Sequence, residues 1–134
     1  MNDKVTNFGE HLMLDGYLGN KDLLNNKDAV FSWLNTLPEK LGMHKITEPQ
    51  IIFSEGNGEK DPGGWSGIVM IAESHISVHT FTERRFASAD VYTCKNGMDT
   101  DLIINYFKET FGFQDVEKNF VKRGTRYPSE NLPD

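Results

Sequence analysis

"WSGIVMIAESHISVHTFTERRFASADVYT", residues 65–93, carries three apolar, β-branched runs in close succession, and they decide the fold. "WSGIVMIA", "HISVHTF" and "FASADVYT" are each of strand length and rich in Val, Ile, Thr and aromatic residues. Only "TERR", residues 82–85, separates the second run from the third, a connection short enough for a hairpin. Strands joined this closely predict a mainly antiparallel sheet.

Upstream, "EGNGEKDPGGW", residues 55–65, is dense in Gly, Asp and Pro and reads as a loop. "HKITEPQIIFS" before it reads as a strand, which Pro49 pushes to a sheet edge or delays. Val30, Trp33, Leu34, Leu37 and Leu41 repeat at helical spacing, with Asn26 or Asp28 as cap and Gly42 as stop. Pro38 predicts a bend or a division near that helix's end. "FGEHLMLDGY", residues 8–17, sets Leu12 and Leu14 against His11, Met13 and Asp15, the alternation of a first strand.

Downstream, "MDTDLIINYFKETFG" predicts a second helix, with Asp99 or Thr100 at its start. Ile103, Tyr106, Phe107 and Phe111 share one face, and Gly112 stops it. "DVEKNFVKRG" reads as a last strand and "TRYPSENLPD" as a polar tail. The order predicts a single α+β domain over residues 1–134: a two-layer sandwich, its mainly antiparallel sheet covered on one face by two helices. The other face is left for water or for a partner, and the abundance of aromatic residues points to a homodimer.

Composition narrows the function. At 134 residues, 37% apolar and 25% charged, the chain suits one soluble globular domain. A net charge of -6 opposes nucleic-acid binding, which relies on Lys and Arg against phosphates. No apolar run approaches the roughly 20 residues of a membrane span. The first residues, "MNDKVTNFGEH", lack the basic and apolar regions of a secretory signal, which predicts a cytoplasmic protein. The lone cysteine, Cys94, excludes an intramolecular disulfide and a zinc site built of cysteines.

Within the decisive stretch, "AESHISVHTF" crowds Glu73, Ser74, His75, Ser77 and His79 into seven positions. His75 and His79 have a metal-ligand spacing only if helical, and this run is a strand, so no metal is expected. "GNGEKDPGG" has neither the dinucleotide fingerprint nor the lysine and hydroxyl of a phosphate loop. Ser74, His79 and Asp90 are the residue types of a hydrolase triad, but "AESHI" lacks the glycines of a nucleophile elbow.

Residues 65–94, "WSGIVMIAESHISVHTFTERRFASADVYTC", resemble the core of the prokaryotic S-adenosylmethionine decarboxylases, with no gap in thirty residues. "FGEHLMLDGY" and the order of elements extend the likeness over most of the chain. The resemblance implies a proenzyme that cleaves itself at Glu73-Ser74 and converts Ser74 into a pyruvoyl group. That carbonyl serves as cofactor, forming a Schiff base with the amine of S-adenosylmethionine and taking up the electrons released with carbon dioxide. The product is the aminopropyl donor for spermidine synthesis.

The family's processing histidine falls on His79, the serine that assists processing on Ser66, and the proton-donating cysteine on Cys94. The carboxylate for the ribose hydroxyls falls on Glu83, and Phe53 stands in the region of an adenine-stacking aromatic, where core packing accounts for it equally well. Resemblance further implies a homodimer of cleaved chain pairs with sites near the interface. His75 and Ser77 receive no role.

The chain departs from the family pattern near the substrate residues. After His79 the family usually reads tryptophan, proline, glutamate, an aromatic and glycine; here Thr82 replaces the proline, and Arg84 and Arg85 the last two. "LDGYLGNKD" lacks the usual cysteine after the tyrosine and has a glycine where an apolar residue is common, and the loop at 55–65 is enlarged. Two alternatives therefore stand: a pyruvoyl-dependent arginine or ornithine decarboxylase on the same scaffold, or a non-cleaving binding paralogue. Arginines near the pocket repel a cationic amino acid and favour the adenosyl substrate.

Overall fold

The computed structural model describes residues 7–72 and 74–127. In chain order these form β1 (Gly9–Tyr17), α1 (Lys21–Leu24), α2 (Lys27–Lys40), β2 (Gln50–Ser54), β3 (Gly64–Ile71), β4 (Ser74–Phe81), β5 (Phe86–Thr93), α3 (Thr100–Phe111) and β6 (Asp115–Arg123). The strands make one antiparallel sheet in the order β2-β3-β4-β5-β1-β6. The expected α+β sandwich is present, with the helices on one face.

Alternation along the strands sorts the side chains into two layers. Leu12, Leu14, Val69, Ile71, Ile76, Val78, Ala87, Ala89 and Val91 point to the helices and are buried. From the helical side Trp33, Leu34, Leu37, Ile103, Phe107 and Phe111 close the core. The Trp33 and Phe107 rings lie 5.1 Å apart, and the Trp33 indole N–H donates to the Ser77 carbonyl of β4 at 3.3 Å. A buried aromatic of this kind contributes roughly 2–3 kcal/mol of apolar transfer alone.

The helix ends follow the sequence signals. Asn26 caps α2, its side chain accepting from Asp28 N at 2.8 Å, and Asp99 caps α3 by accepting from Leu102 N at 3.1 Å. Two expectations change. Pro38 does not divide α2, because it stands in the last turn, where its missing N–H removes one bond and the helix ends at Lys40. A third helix, α1, is a single turn capped by Asn20, too short to show a period in sequence.

Pro49 does delay the strand expected in "HKITEPQIIFS": β2 begins at Gln50, and before it Lys45 forms an isolated bridge with Ile71. The "TERR" connection is a 3-10 turn, Thr82–Arg84, ending in Arg85. Of the polar tail, residues 128–134 lie outside the described residues, as does Glu73. No helix among the described residues is long and apolar enough to cross a membrane.

Candidate functional site

Register fixes where each expected residue stands. Ser66 on β3 pairs directly with His79 on β4, and the serine Oγ lies 2.8 Å from His79 Nδ1. Both side chains project from the sheet face that carries no helix. On β5, Ser88 faces His79 from the other side. Beyond His79, Phe81 packs against Phe86 with ring centroids 5.7 Å apart, and Phe86 against Tyr17 at 5.4 Å. This end of the sheet therefore holds a hydrogen-bonded hydroxyl and imidazole next to a group of aromatic rings.

Glu83 occupies the middle of the 3-10 turn just past this cluster, exposed and 3.3 Å from Lys21 Nζ. Phe53 lies at the same end but on the other face: it pairs with Trp65, one residue before Ser66, and meets that indole edge-on at 5.2 Å. The half of its surface left exposed is at the sheet edge.

Ser74 starts β4 at the opposite end of the strand, paired with Ile71 on β3 and with Thr93 on β5. Cys94 follows Thr93 directly and is half-buried. Here β1 comes close: a Cβ built on Gly9 would stand 2.9 Å from Cys94 Cα and 2.2 Å from Thr93 O, so only glycine fits. The segment after Cys94 is held by Glu10, whose carboxylate accepts from Gly97 N at 3.1 Å and Met98 N at 2.9 Å. Asn7 donates to Gly9 O and to Asn96 Oδ1, both at 2.8 Å.

The six candidate positions among the described residues thus divide into two groups. Ser66, His79, Glu83 and Phe53 stand at one end of the sheet, and Ser74 with Cys94 at the other. Five residues of extended chain separate Ser74 from His79, roughly 16 Å, and an odd separation turns their side chains to opposite faces. A single chain does not bring His79 to Ser74.

The other sequence candidates find different partners. Asp90 receives His11 Nε2 at 2.8 Å and the Ser77 hydroxyl at 3.4 Å, so no Ser74, His79, Asp90 relay forms within the chain. His75 packs on Tyr92 at 5.5 Å, and the Arg123 guanidinium covers the same ring at 4.9 Å. His75 and Ser77 belong to this network on the open face. Four strand residues, about 13 Å, keep His75 and His79 from sharing one ion.

The open face also concentrates negative charge. Partial burial, reinforced by Glu117 and Asp90, raises the Asp15 carboxyl above its ordinary value. Tyr17 donates to Glu117 at 2.8 Å, and that bond raises the phenol. Glu10 and Asn7 were not singled out in the sequence. Glu10 had a signal, since it is an acidic residue in phase with the buried Leu12 and Leu14.

The S-adenosylmethionine decarboxylase family profile matches residues 10–124. An S-adenosylmethionine decarboxylase proenzyme of Clostridium botulinum (strain Langeland) is 32% identical over 116 residues, covering 87% of this chain and 94% of the relative. The proenzyme of Pyrococcus horikoshii is 46% identical over 63 residues, 47% of this chain and 45% of its own length. The crystal structure of the adenosylmethionine decarboxylase from Aquifex aeolicus superposes with a TM-score of 0.75 at 25% identity, covering 90% of this chain and 93% of that one. With the profile spanning most of the sheet and both long helices, the chain belongs to the S-adenosylmethionine decarboxylase family.

Proposed function

We propose that this chain is a cytoplasmic proenzyme that cuts its own Glu73-Ser74 bond and then decarboxylates S-adenosylmethionine, supplying the aminopropyl donor for spermidine synthesis. The observation that carries this reading is the grouping around the two ends of β4. Ser74 stands beside Thr93 and Cys94, and Ser66 is hydrogen-bonded to His79.

Self-cleavage needs only the chain and water. The Ser74 hydroxyl attacks the Glu73 carbonyl, and the amide becomes an ester. Loss of the Ser74 α-proton to His79 expels the Glu73 carboxylate and leaves a dehydroalanine. Its enamine tautomerises and is hydrolysed, releasing ammonia and leaving a pyruvoyl group as the new N-terminus. Ser66 bonds the carbonyl under attack, where a donor is worth most as charge develops.

The surroundings of Ser74 fit that group, because Cys94 adjoins its strand partner and offers a thiol proton. Once formed there, the pyruvoyl group would supply an electrophilic carbonyl for the substrate amine and an electron sink for decarboxylation. Cys94 then delivers a proton to the substrate α-carbon. Glu83 accepts from the vicinal ribose hydroxyls, whereas Phe53 lies on the other face of the sheet against Trp65.

Since one chain holds Ser74 and His79 apart, the site is shared between two copies. A two-fold axis running across the strands sets the Ser66 and His79 end of one chain beside the Ser74 and Cys94 end of the other, with Ser74 at the very start of its strand. Ile52, Ile68 and Met70 are large, exposed and on the open face, as an isologous interface requires.

Carbon dioxide release from S-adenosylmethionine, arginine and ornithine tests the substrate. Turnover of the adenosyl substrate, abolished by a carbonyl reagent such as phenylhydrazine, is expected; turnover of arginine or ornithine alone contradicts the proposal.

A further inference from the structure

Two of the chain's departures from its family pattern touch each other. Arg85, standing where the pattern reads glycine, takes a left-handed backbone at φ 54° and ψ 37°, which a residue with a Cβ adopts unfavourably. Among the described residues its side chain makes no ion pair. Instead Arg85 Nε donates to Gly19 O at 2.8 Å and its terminal nitrogen to Leu18 O at 3.4 Å, while Gly19 N donates back to Arg85 O at 2.9 Å. Gly19 lies in the other departing segment, "LDGYLGNKD", and a side chain there would crowd its neighbours: a Cβ would stand 2.7 Å from the Phe113 ring and 2.9 Å from Leu24.

The result is a strap between the corner that follows β1 and the turn that carries Glu83. Lys21, two residues past Gly19, reaches Glu83 Oε2 at 3.3 Å from the same corner. Both of its charges are exposed, so this pair alone holds the carboxylate weakly. The backbone tie through Arg85 gives it a fixed base. A guanidinium suits that task, since its planar fork spans two successive carbonyls and a lysine reaches only one.

We propose that Arg85 is a positioning residue for substrate binding: it fixes the Thr82–Arg84 turn against Leu18 and Gly19, and so aims Glu83 at the ribose hydroxyls. The proposal rests on the reading of Glu83 as the ribose-binding carboxylate. Arg85 touches neither the scissile bond nor the thiol, so its effect falls on substrate affinity and leaves chemistry and self-cleavage alone.

Steady-state kinetics of the cleaved enzyme and of Arg85→Ala, Glu83→Gln and the double variant test it. Arg85→Ala is expected to raise KM for S-adenosylmethionine about tenfold with kcat within about twofold and an unchanged cleavage rate. In the Glu83→Gln background the same substitution is expected to add almost nothing, because the two act through one contact. Arg85→Gly, which relieves the left-handed backbone and retains the fold, is expected to raise KM as Arg85→Ala does. A raised KM for Glu83→Gln with none for either Arg85 variant overturns the proposal, as does an undiminished Arg85 effect in the Glu83→Gln background. An unchanged KM for Glu83→Gln itself overturns the underlying reading of Glu83, and the proposal with it.

Discussion

Ser66 Oγ and His79 Nδ1 lie 2.8 Å apart across β3 and β4, from positions that pair directly in the antiparallel register. Neither side chain is in the core, so Ser66→Ala costs at most about 1 kcal/mol of stability. Self-cleavage is expected to slow by about 100-fold, the scale of losing one donor at a developing oxyanion. Gel or mass analysis of uncut chain against time checks this, with circular dichroism to confirm the fold.

The division of the site makes a complementation experiment decisive. Chains with Ser74→Ala and chains with His79→Ala are each expected to remain uncut. Unfolded and refolded together, they form mixed pairs in which an intact Ser74 meets an intact His79 from the other chain. Cleavage of the His79→Ala chain, and only of that chain, is the expected result. A mixture as inert as its parts places the site within one chain.

Cys94 adjoins the strand partner of Ser74, too late in the reaction scheme to matter for cleavage. Cys94→Ala is expected to cut itself normally and to lose about 100-fold or more in kcat, the usual worth of a positioned proton donor. Activity equal to the parent removes the thiol from the mechanism.

Asp15 carries a prediction about pH. Its carboxyl is raised by burial and then by Glu117 and Asp90, so the folded chain binds that proton more readily than the unfolded one. The stability this contributes is present at low pH and is lost as pH rises through the folded value. Asp15→Asn is therefore expected to stabilise the fold at pH 7 by no more than about 0.5 kcal/mol at this half-exposed site, read as a higher midpoint of thermal unfolding. The gain fades as pH falls into the carboxylate range, which thermal scans at pH 7 and pH 4 compare.

The three strands of residues 65–93 were legible because a period of two, β-branched residues and a four-residue connection agree. Both long helices were legible through their caps, Asn26 and Asp99, and through the apolar spacing that places Trp33 and Phe107 in the core. α1 was not, since one turn has no period. Pro38 misled because the rule against internal proline is weakest in a last turn. The site was named through resemblance, which placed His79 five residues after Ser74. The odd spacing on an extended strand sets the two apart, and the register makes the separation explicit. Contacts such as Arg85 with Gly19, 66 residues apart, leave no local trace in a sequence.

To make its cofactor the chain must break its own backbone, and intact-mass spectrometry of the purified protein after prolonged incubation reads that break. Two chains are expected, one ending at Glu73 and one beginning with a pyruvoyl group in place of Ser74. A single uncut chain of 15.2 kDa contradicts the account.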